Sequence, residues 1–202
     1  MQNEIIMLID RSGSMNNKKE EVDGGFIGFV DEQKASNPKA KLTLTQFDTE
    51  IEELYKSAVL SKVEYKCHPR GMTALIDALG RTITDAHTRF KKRKKYPNVI
   101  LVVITDGFEN ASREFTKKAV KTLLTQMKEE FNWDDLFIGA QFNNFSDAED
   151  IGYDITTTAN ATNLRGAFHQ TSTYTSDTQV VGVARDQRKA QWKAQINTQK
   201  GE

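Results

Sequence analysis

Two hydrophobic patterns alternate along this chain: short apolar runs, and longer stretches with apolar residues at helical spacing. Residues 4–9 and 99–104 are almost wholly apolar, which is typical of strands buried on both faces of a sheet. Residues 41–47 alternate apolar with polar side chains and predict a further strand, with residues 51–55 as its hairpin partner. Residues 136–140 predict one more short buried strand.

Helical spacing occurs in the stretches between these strands. We predict helices over residues 16–35, 73–90 and 115–131, and a last helix around Leu164 and Phe168. The residues at helical spacing that predict the first three are, in chain order, Val22, Phe26, Phe29, Val30 and Gln33; Ile76, Leu79, Ile83 and Phe90; and Phe115, Ala119, Leu123, Met127 and Phe131.

This alternation of strands and helices predicts a doubly wound, Rossmann-like α/β fold. We expect a mostly parallel sheet with one antiparallel edge strand and helices on both faces. The predicted domain spans residues 1–176, and residues 177–202 form a polar C-terminal extension that is helical or docks on a partner. In sheets of this kind, ligands bind beyond the carboxyl ends of the strands.

Composition narrows the classes of protein to consider. The 202 residues include 28 basic and 28 acidic side chains, so a zero net charge gives no indication of nucleic-acid or membrane binding. No apolar run approaches the roughly 20 residues that a membrane-spanning helix needs. Cys67 is the single cysteine, which excludes an internal disulfide, and the first residues do not resemble a secretory signal. We therefore expect a cytoplasmic protein.

Oxygen-bearing side chains follow two of the predicted strands and precede one helix. Asp10, Ser12 and Ser14 alternate in "IDRSGSM", Thr73 lies in "GMTALIDAL", and Asp106 lies in "VITDGFEN". Each segment has a structural explanation when it is considered alone. Asp10 could fix a turn, Ser14 could cap the next helix, Thr73 could be a helix N-cap, and Asp106 could belong to a simple turn.

Considered together, the segments bring two carboxylates and three hydroxyls to one edge of the predicted sheet. Oxygen ligands without histidine or thiolate suit Mg²⁺, Mn²⁺ or Ca²⁺ and do not suit zinc or copper. The order Asp-x-Ser-x-Ser, Thr, Thr-Asp-Gly resembles the metal-ion-dependent adhesion site of von Willebrand factor A (VWA) domains, over about residues 3–170. The matching residues are Asp10, Ser12, Ser14, Thr73 and Asp106.

The resemblance implies a non-catalytic module that binds Mg²⁺ or a similar ion and uses it to hold an Asp or Glu of a partner protein. In size and composition, the chain is most similar to cytoplasmic family members of bacteria and their viruses. One alternative is a Mg²⁺-dependent phosphohydrolase, but Ser12 occupies the place where such enzymes commonly have a second carboxylate, and no lysine lies in the three loops. Another alternative is a structural protein that a metal merely stabilises.

Besides Phe108, four further features have a structural interpretation beside a functional one. Phe108 is expected at the rim of the site. Arg70 either contacts a ligand at that rim or is an ordinary loop residue. Glu109 either lies close to the metal or a basic partner, or occupies a helix N-terminus, where the dipole favours it. The basic run of residues 89–95 is expected to end a helix, with an acidic partner as the alternative. In the tail, Trp192 and Ile196 would lie one helical turn apart and could pack on the domain or on another protein.

Overall fold

The computed structural model describes residues 2–139, 144–153, 156–158, 164–178, 187 and 190. Ala140, at the end of one predicted strand, lies outside the described residues. The predicted tail contacts of Trp192 and Ile196 also lie outside them, and so the boundary at residue 176 stays a prediction.

Six strands of the described chain form one sheet, which confirms the predicted fold class. The strands are β1 (Asn3–Asp10), β2 (Lys41–Phe47), β3 (Ile51–Val59), β4 (Asn98–Thr105), β5 (Asp134–Gly139) and β6 (Thr156–Thr158). Their order is β3-β2-β1-β4-β5-β6, and the pairing is parallel except between β2 and the edge strand β3. The carboxyl ends of the adjacent strands β1 and β4 therefore lie side by side near the middle of the sheet.

Helices cover both faces of this sheet. They are α1 (Lys19–Ser36), α2 (Leu75–Lys91), α3 (Lys117–Phe131), α4 (Asn144–Ile151) and α5 (Leu164–Thr178). Successive residues of β1 belong to opposite cores: Ile5 packs with residues of α1 and α5, whereas Ile6 packs with residues of α2, α3 and α4. Burial on both faces explains why the central residues of β1 and β4 are apolar. Within the described chain, no helix has the length and apolar character needed to cross a membrane.

The first and third predicted helices differ from the structure in detail. A short 3-10 helix, Gly13–Lys18, precedes α1, so the α-helix begins three residues later than predicted. The predicted stripe of the third helix was wrong in part: Ala119 is exposed, and the fully buried face carries Val120, Leu124 and Met127. Phe115 precedes that helix and lies against Gly80 of α2, so it does not share the helix's face.

Candidate functional site

Three loops are joined by backbone hydrogen bonds at the carboxyl edge of β1 and β4. Arg11 N donates to Phe47 O at 2.8 Å, at the end of β2. Arg70 N donates to Arg11 O at 2.7 Å, and Gly13 N donates to Gly71 O at 3.1 Å. These bonds fix the loop after β1 against the segment that leads into α2, although the two are far apart in the sequence.

Asp10 is fully buried at the end of β1, and protein donors bind both of its oxygens. Oδ1 accepts from Ser12 N at 2.6 Å, and Oδ2 accepts from Thr105 Oγ1 at 2.5 Å. Burial and, to a smaller extent, the nearby Asp106 raise the pKa of Asp10 to about 6, although the hydrogen bonds to its carboxylate act in the opposite direction. A cation at this position would favour the ionised carboxylate that the buried environment otherwise disfavours.

Ser12, Ser14 and Asp106 form a continuous chain of polar contacts. Ser12 Oγ lies 3.0 Å from Ser14 Oγ, and Ser14 Oγ donates to Asp106 Oδ1 at 2.6 Å. The second oxygen of Asp106 forms an ion pair with Nζ of Lys18. Asp106 and Lys18 are buried, whereas Ser14 is exposed and forms the open side of the group.

Sequence reasoning missed the lysine of this site. No lysine lies in the three loops by sequence position, but the 3-10 helix after Ser12 returns Lys18 to the carboxylate of Asp106. The only available signal was that Lys18 lies near the start of the predicted helix that follows Asp10. Thr105, which holds Asp10, was also missed, although it directly precedes Asp106 at the end of β4.

Thr73 belongs to the same cluster and does not cap its helix. The N-cap of α2 is Ala74, so the interpretation of Thr73 as a capping residue is wrong. Thr73 N donates to the side chain of Asn110 at 2.9 Å, and Thr73 O accepts from Asn110 N at 3.0 Å. The third loop therefore fixes the backbone of Thr73, and the hydroxyl is not used for capping α2.

Gly107, on the third loop, lies where oxygens from the other two loops meet. A Cβ atom at Gly107 would lie 2.6 Å from Thr73 Oγ1, 3.1 Å from Asp10 Oδ2 and 3.2 Å from Ser12 Oγ. With the contacts of Ser14 and Asp106, all five residues singled out in the sequence are in one group. A glycine is needed here because even a methyl group would collide with the threonine hydroxyl.

This donor set fits a small hard cation. It supplies two carboxylates and three hydroxyls, all of them oxygen donors of the kind that Mg²⁺, Mn²⁺ and Ca²⁺ prefer. Among the described residues, no group of three or more His, Cys, Asp and Glu side chains is placed to hold a metal ion. A metal at this position would therefore depend on the hydroxyls as well as on the carboxylates.

A network of ion pairs borders the group on the side of β2. Asp48 is buried, and its Oδ2 lies 2.8 Å from Nε of Arg11 and 2.8 Å from Nε of Arg70. Arg70 also contacts Glu50 and remains half exposed, so its charge is neutralised within the rim. The pKa of Arg70 is raised, mainly by its hydrogen bond to Asp48 and secondly by the negative charge of that carboxylate.

Glu109 and two arginines of the basic run make contacts within the protein. Oε2 of Glu109 accepts from Ile76 N at 2.8 Å, so this carboxylate lies at the N-terminus of α2, where the helix dipole favours it. In the basic run, Arg89 donates to Thr43 Oγ1 at 2.8 Å, and Arg93 donates to the buried Glu4 at 2.6 Å. Arg89 lies in the last turn of α2, and Arg93 lies just beyond the end of that helix. Both are near the amino-terminal edge of the sheet, opposite the proposed site.

Comparisons with known proteins agree on the fold. The sequence profile of the von Willebrand factor type A domain matches residues 4–174. No protein with a curated description matches the sequence significantly.

Three solved structures show the extent of the structural similarity. The PilB minor pilin from Streptococcus sanguinis has 12% identity and a TM-score of 0.65, over 91% of this chain and 64% of the pilin chain. The von Willebrand factor domain of the type V pili tip protein Mfa5 from Porphyromonas gingivalis has 11% identity and a TM-score of 0.65, over 91% and 98% of the two chains. Manganese-loaded Plasmodium vivax TRAP protein has 19% identity and a TM-score of 0.59, over 82% and 71%. At these identities the comparison supports the fold alone.

Proposed function

This chain belongs to the von Willebrand factor type A domain family, and from that premise we propose that it is a divalent-metal-dependent protein-binding module. Domains of this family are mostly non-catalytic and mediate binding between proteins. In our proposal, Asp10, Ser12, Ser14, Thr73 and Asp106 form the metal-ion-dependent adhesion site. They hold Mg²⁺, or Mn²⁺ or Ca²⁺, directly or through water. The main support is the convergence of side-chain oxygens of Asp10, Ser12 and Thr73 around Gly107, which lies on the third loop.

Charge explains why the ligand of such an ion would be acidic. Two carboxylates neutralise a divalent ion, the hydroxyls add no charge, and the ammonium of Lys18 leaves the buried group with a net charge of plus one. An Asp or Glu side chain of a partner protein would restore neutrality. The metal ion supplies the electrophilic centre when it is bound, and binding of metal and partner should be positively coupled.

The protein's own residues hold this site in place before any ligand arrives. Thr105 and the amide of Ser12 orient Asp10, while Lys18 and Ser14 orient the two oxygens of Asp106. Groups that orient ligands in this way raise metal affinity, because fewer conformations are lost on binding. The exposed Ser14 leaves one open side, from which a partner carboxylate could approach.

The first test concerns the metal. We expect isothermal titration calorimetry with Mg²⁺ and Mn²⁺ to show one site in the wild type and none in Asp10→Ala. Ser61→Ala, at an exposed serine outside the cluster, serves as the control and should bind metal as the wild type does. Equal metal binding by Asp10→Ala would remove Asp10 from the proposed site.

The second test concerns the acidic partner. Ser12→Asp adds a charge beside the ion, so metal should bind as well or better. Partner protein captured from source-cell lysate in Mg²⁺, and released by chelator, should bind this variant less well, because the added charge weakens the ion's attraction for another carboxylate. Ser61→Asp adds the same charge elsewhere and should change neither result. An unchanged or stronger capture by Ser12→Asp would contradict an acidic ligand.

A Mg²⁺-dependent phosphohydrolase is a second candidate, because Lys18 reaches Asp106 as a phosphoryl-binding lysine would. Two observations weigh against it. Asp10, the expected nucleophile, is fully buried with both oxygens hydrogen-bonded, and Ser12 stands where the acid/base carboxylate would be. Hydrolysis of p-nitrophenyl phosphate by the wild type in Mg²⁺, lost in Asp10→Ala, would support the enzyme instead. Metal binding without metal-dependent capture of a partner protein would support the remaining alternative, a structural protein that the metal merely stabilises.

We further propose that the protein acts in the cytoplasm of a bacterium or in a phage-infected cell. The support is the cysteine content of the sequence: Cys67 is its single cysteine, so no internal disulfide can form. Fractionation of source cells, with an antibody against the chain, tests this location. Recovery in the membrane or secreted fraction would contradict it.

A further inference from the structure

Large apolar side chains are exposed next to the proposed metal site. In the described chain, the exposed large hydrophobic residues are Ile27, Met72 and Phe108. Met72 is 50% exposed and directly precedes Thr73, and Phe108 is 45% exposed and directly follows Gly107. Ile27 lies on α1, outside this cluster. Exposed apolar side chains adjoining a site for a charged group are a common feature of binding surfaces.

Both side chains are carried by loops with fixed backbones. Met72 N donates to Thr49 Oγ1 at 3.0 Å, and the preceding Gly71 has a φ of +67°, which favours glycine. Two residues after Phe108, Asn110 N donates to Thr73 O at 3.0 Å. A partner would therefore meet apolar side chains whose supporting loops are already ordered, at a small entropic cost.

Acidic side chains border the same rim. The side chain of Glu50 is 73% exposed and that of Glu52 is 54% exposed, and both pair with the arginines beside Asp48. Two arginines and the three carboxylates of Asp48, Glu50 and Glu52 leave this rim with one net negative charge, which would repel a second acidic residue of a partner. Charge at the rim thus favours a ligand with one carboxylate for the ion and uncharged residues around it.

We infer that the partner segment is a single Asp or Glu with a large apolar residue within two positions of it. Met72 and Phe108 contact that apolar residue, while the carboxylate completes the metal ion. This inference rests on the proposed function, because the carboxylate is held by the ion. Apolar contact also excludes water from the carboxylate, which strengthens its attraction to the cation.

A phage-displayed library of random heptapeptides tests the inference with the full chain. The library is selected on immobilised protein in Mn²⁺ and Mg²⁺, and bound phage are released by chelator. We expect enrichment of peptides with one acidic residue and a Leu, Ile, Met, Phe or Trp within two positions. Met72→Ser and Phe108→Ser should each weaken a selected synthetic peptide on the order of ten-fold, as for contacts at the centre of an interface. Ile27→Ser is the matched control and should bind as the wild type does.

Each outcome distinguishes the inference from the function on which it rests. Acidic peptides without apolar neighbours, or runs of several acidic residues, would overturn the inference and leave the proposed function standing. Absence of acidic peptides among the chelator-released phage would overturn the proposed function and the inference together. Circular dichroism melting curves establish that each variant is folded, which the exposure of all three side chains leads us to expect.

Discussion

Gly107 is the residue whose lack of a side chain keeps the oxygens of the proposed site together. We expect Gly107→Ala to weaken metal binding on the order of 100-fold, since its Cβ would lie 2.6 Å from Thr73 Oγ1 and displace that side chain. Calorimetry with Mg²⁺ measures the effect. Gly28→Ala is the control: its Cβ would meet nothing within 4 Å, so it should keep metal affinity and stabilise α1 by about 0.5–1 kcal/mol. Unchanged metal affinity in Gly107→Ala would contradict the proposed position of the ion.

Lys18 carries a buried charge that the metal ion would partly replace in a variant without it. We expect Lys18→Met to lower the free energy of unfolding by roughly 3 kcal/mol in chelator, because it leaves the buried Asp106 without its partner. Saturating Mg²⁺ should narrow this difference, because the ion supplies positive charge to the same carboxylate. Urea unfolding with and without metal measures both values.

Lys19→Met provides the control for that experiment, because Lys19 is the neighbouring lysine and lies at the partly exposed start of α1. The free energy of unfolding of Lys19→Met should differ little from that of the wild type, and the difference should be the same with and without Mg²⁺. A difference between Lys18→Met and wild type that is the same in both conditions would show that Lys18 and the metal act independently.

At the scale of elements, Asp77 of α2 fixes the segment that leads into α3. Its carboxylate accepts hydrogen bonds from Arg113 N at 2.7 Å, Glu114 N at 2.9 Å and Phe115 N at 2.8 Å. Burial alone would raise the pKa of Asp77, but these three backbone donors lower it below its ordinary value of 3.8. The folded state therefore binds the ionised carboxylate more favourably than the unfolded state does.

We expect Asp77→Asn to lower the free energy of unfolding by about 1–3 kcal/mol at neutral pH, because the neutral amide replaces an ionised acceptor. The depressed pKa means that this stabilisation is present in full above 3.8 and declines as the pH falls below that value. Urea unfolding of the wild type and the variant at several pH values measures the difference. Asp85→Asn, at an exposed position of the same helix, should differ little from wild type, and a similar loss there would contradict a specific role of Asp77.

At the scale of the whole molecule, a ligand that binds only the folded state must stabilise it. At a Mg²⁺ concentration 100 times the dissociation constant, the added stability is about 2.7 kcal/mol. For a domain of this size, that corresponds to a rise in melting temperature of roughly 5–10 °C. We expect this rise in differential scanning calorimetry of the wild type. Asp10→Ala should show none, and a rise of the same size in that variant would place the bound metal elsewhere.

The sequence by itself determined the fold class and predicted the residues of the proposed site. Apolar runs such as residues 99–104 identify strands buried between helices, because periodicity is a local property. Strand ends then place Asp10 and Asp106 at one edge, because the carboxyl ends of parallel strands meet there. The structure groups Asp10 and Asp106 with Ser12, Ser14 and Thr73, although whether they hold a metal stays a prediction.

Only the tertiary structure decided how these residues are held. The bond between Ser14 and Asp106 joins residues 92 positions apart, and the ion pair of Lys18 with Asp106 joins residues 88 positions apart. No local pattern encodes such contacts, because they depend on how the 3-10 helix and the sheet pack. The same reason explains why Thr73 resembled a helix cap in the sequence but adjoins Gly107 in the fold.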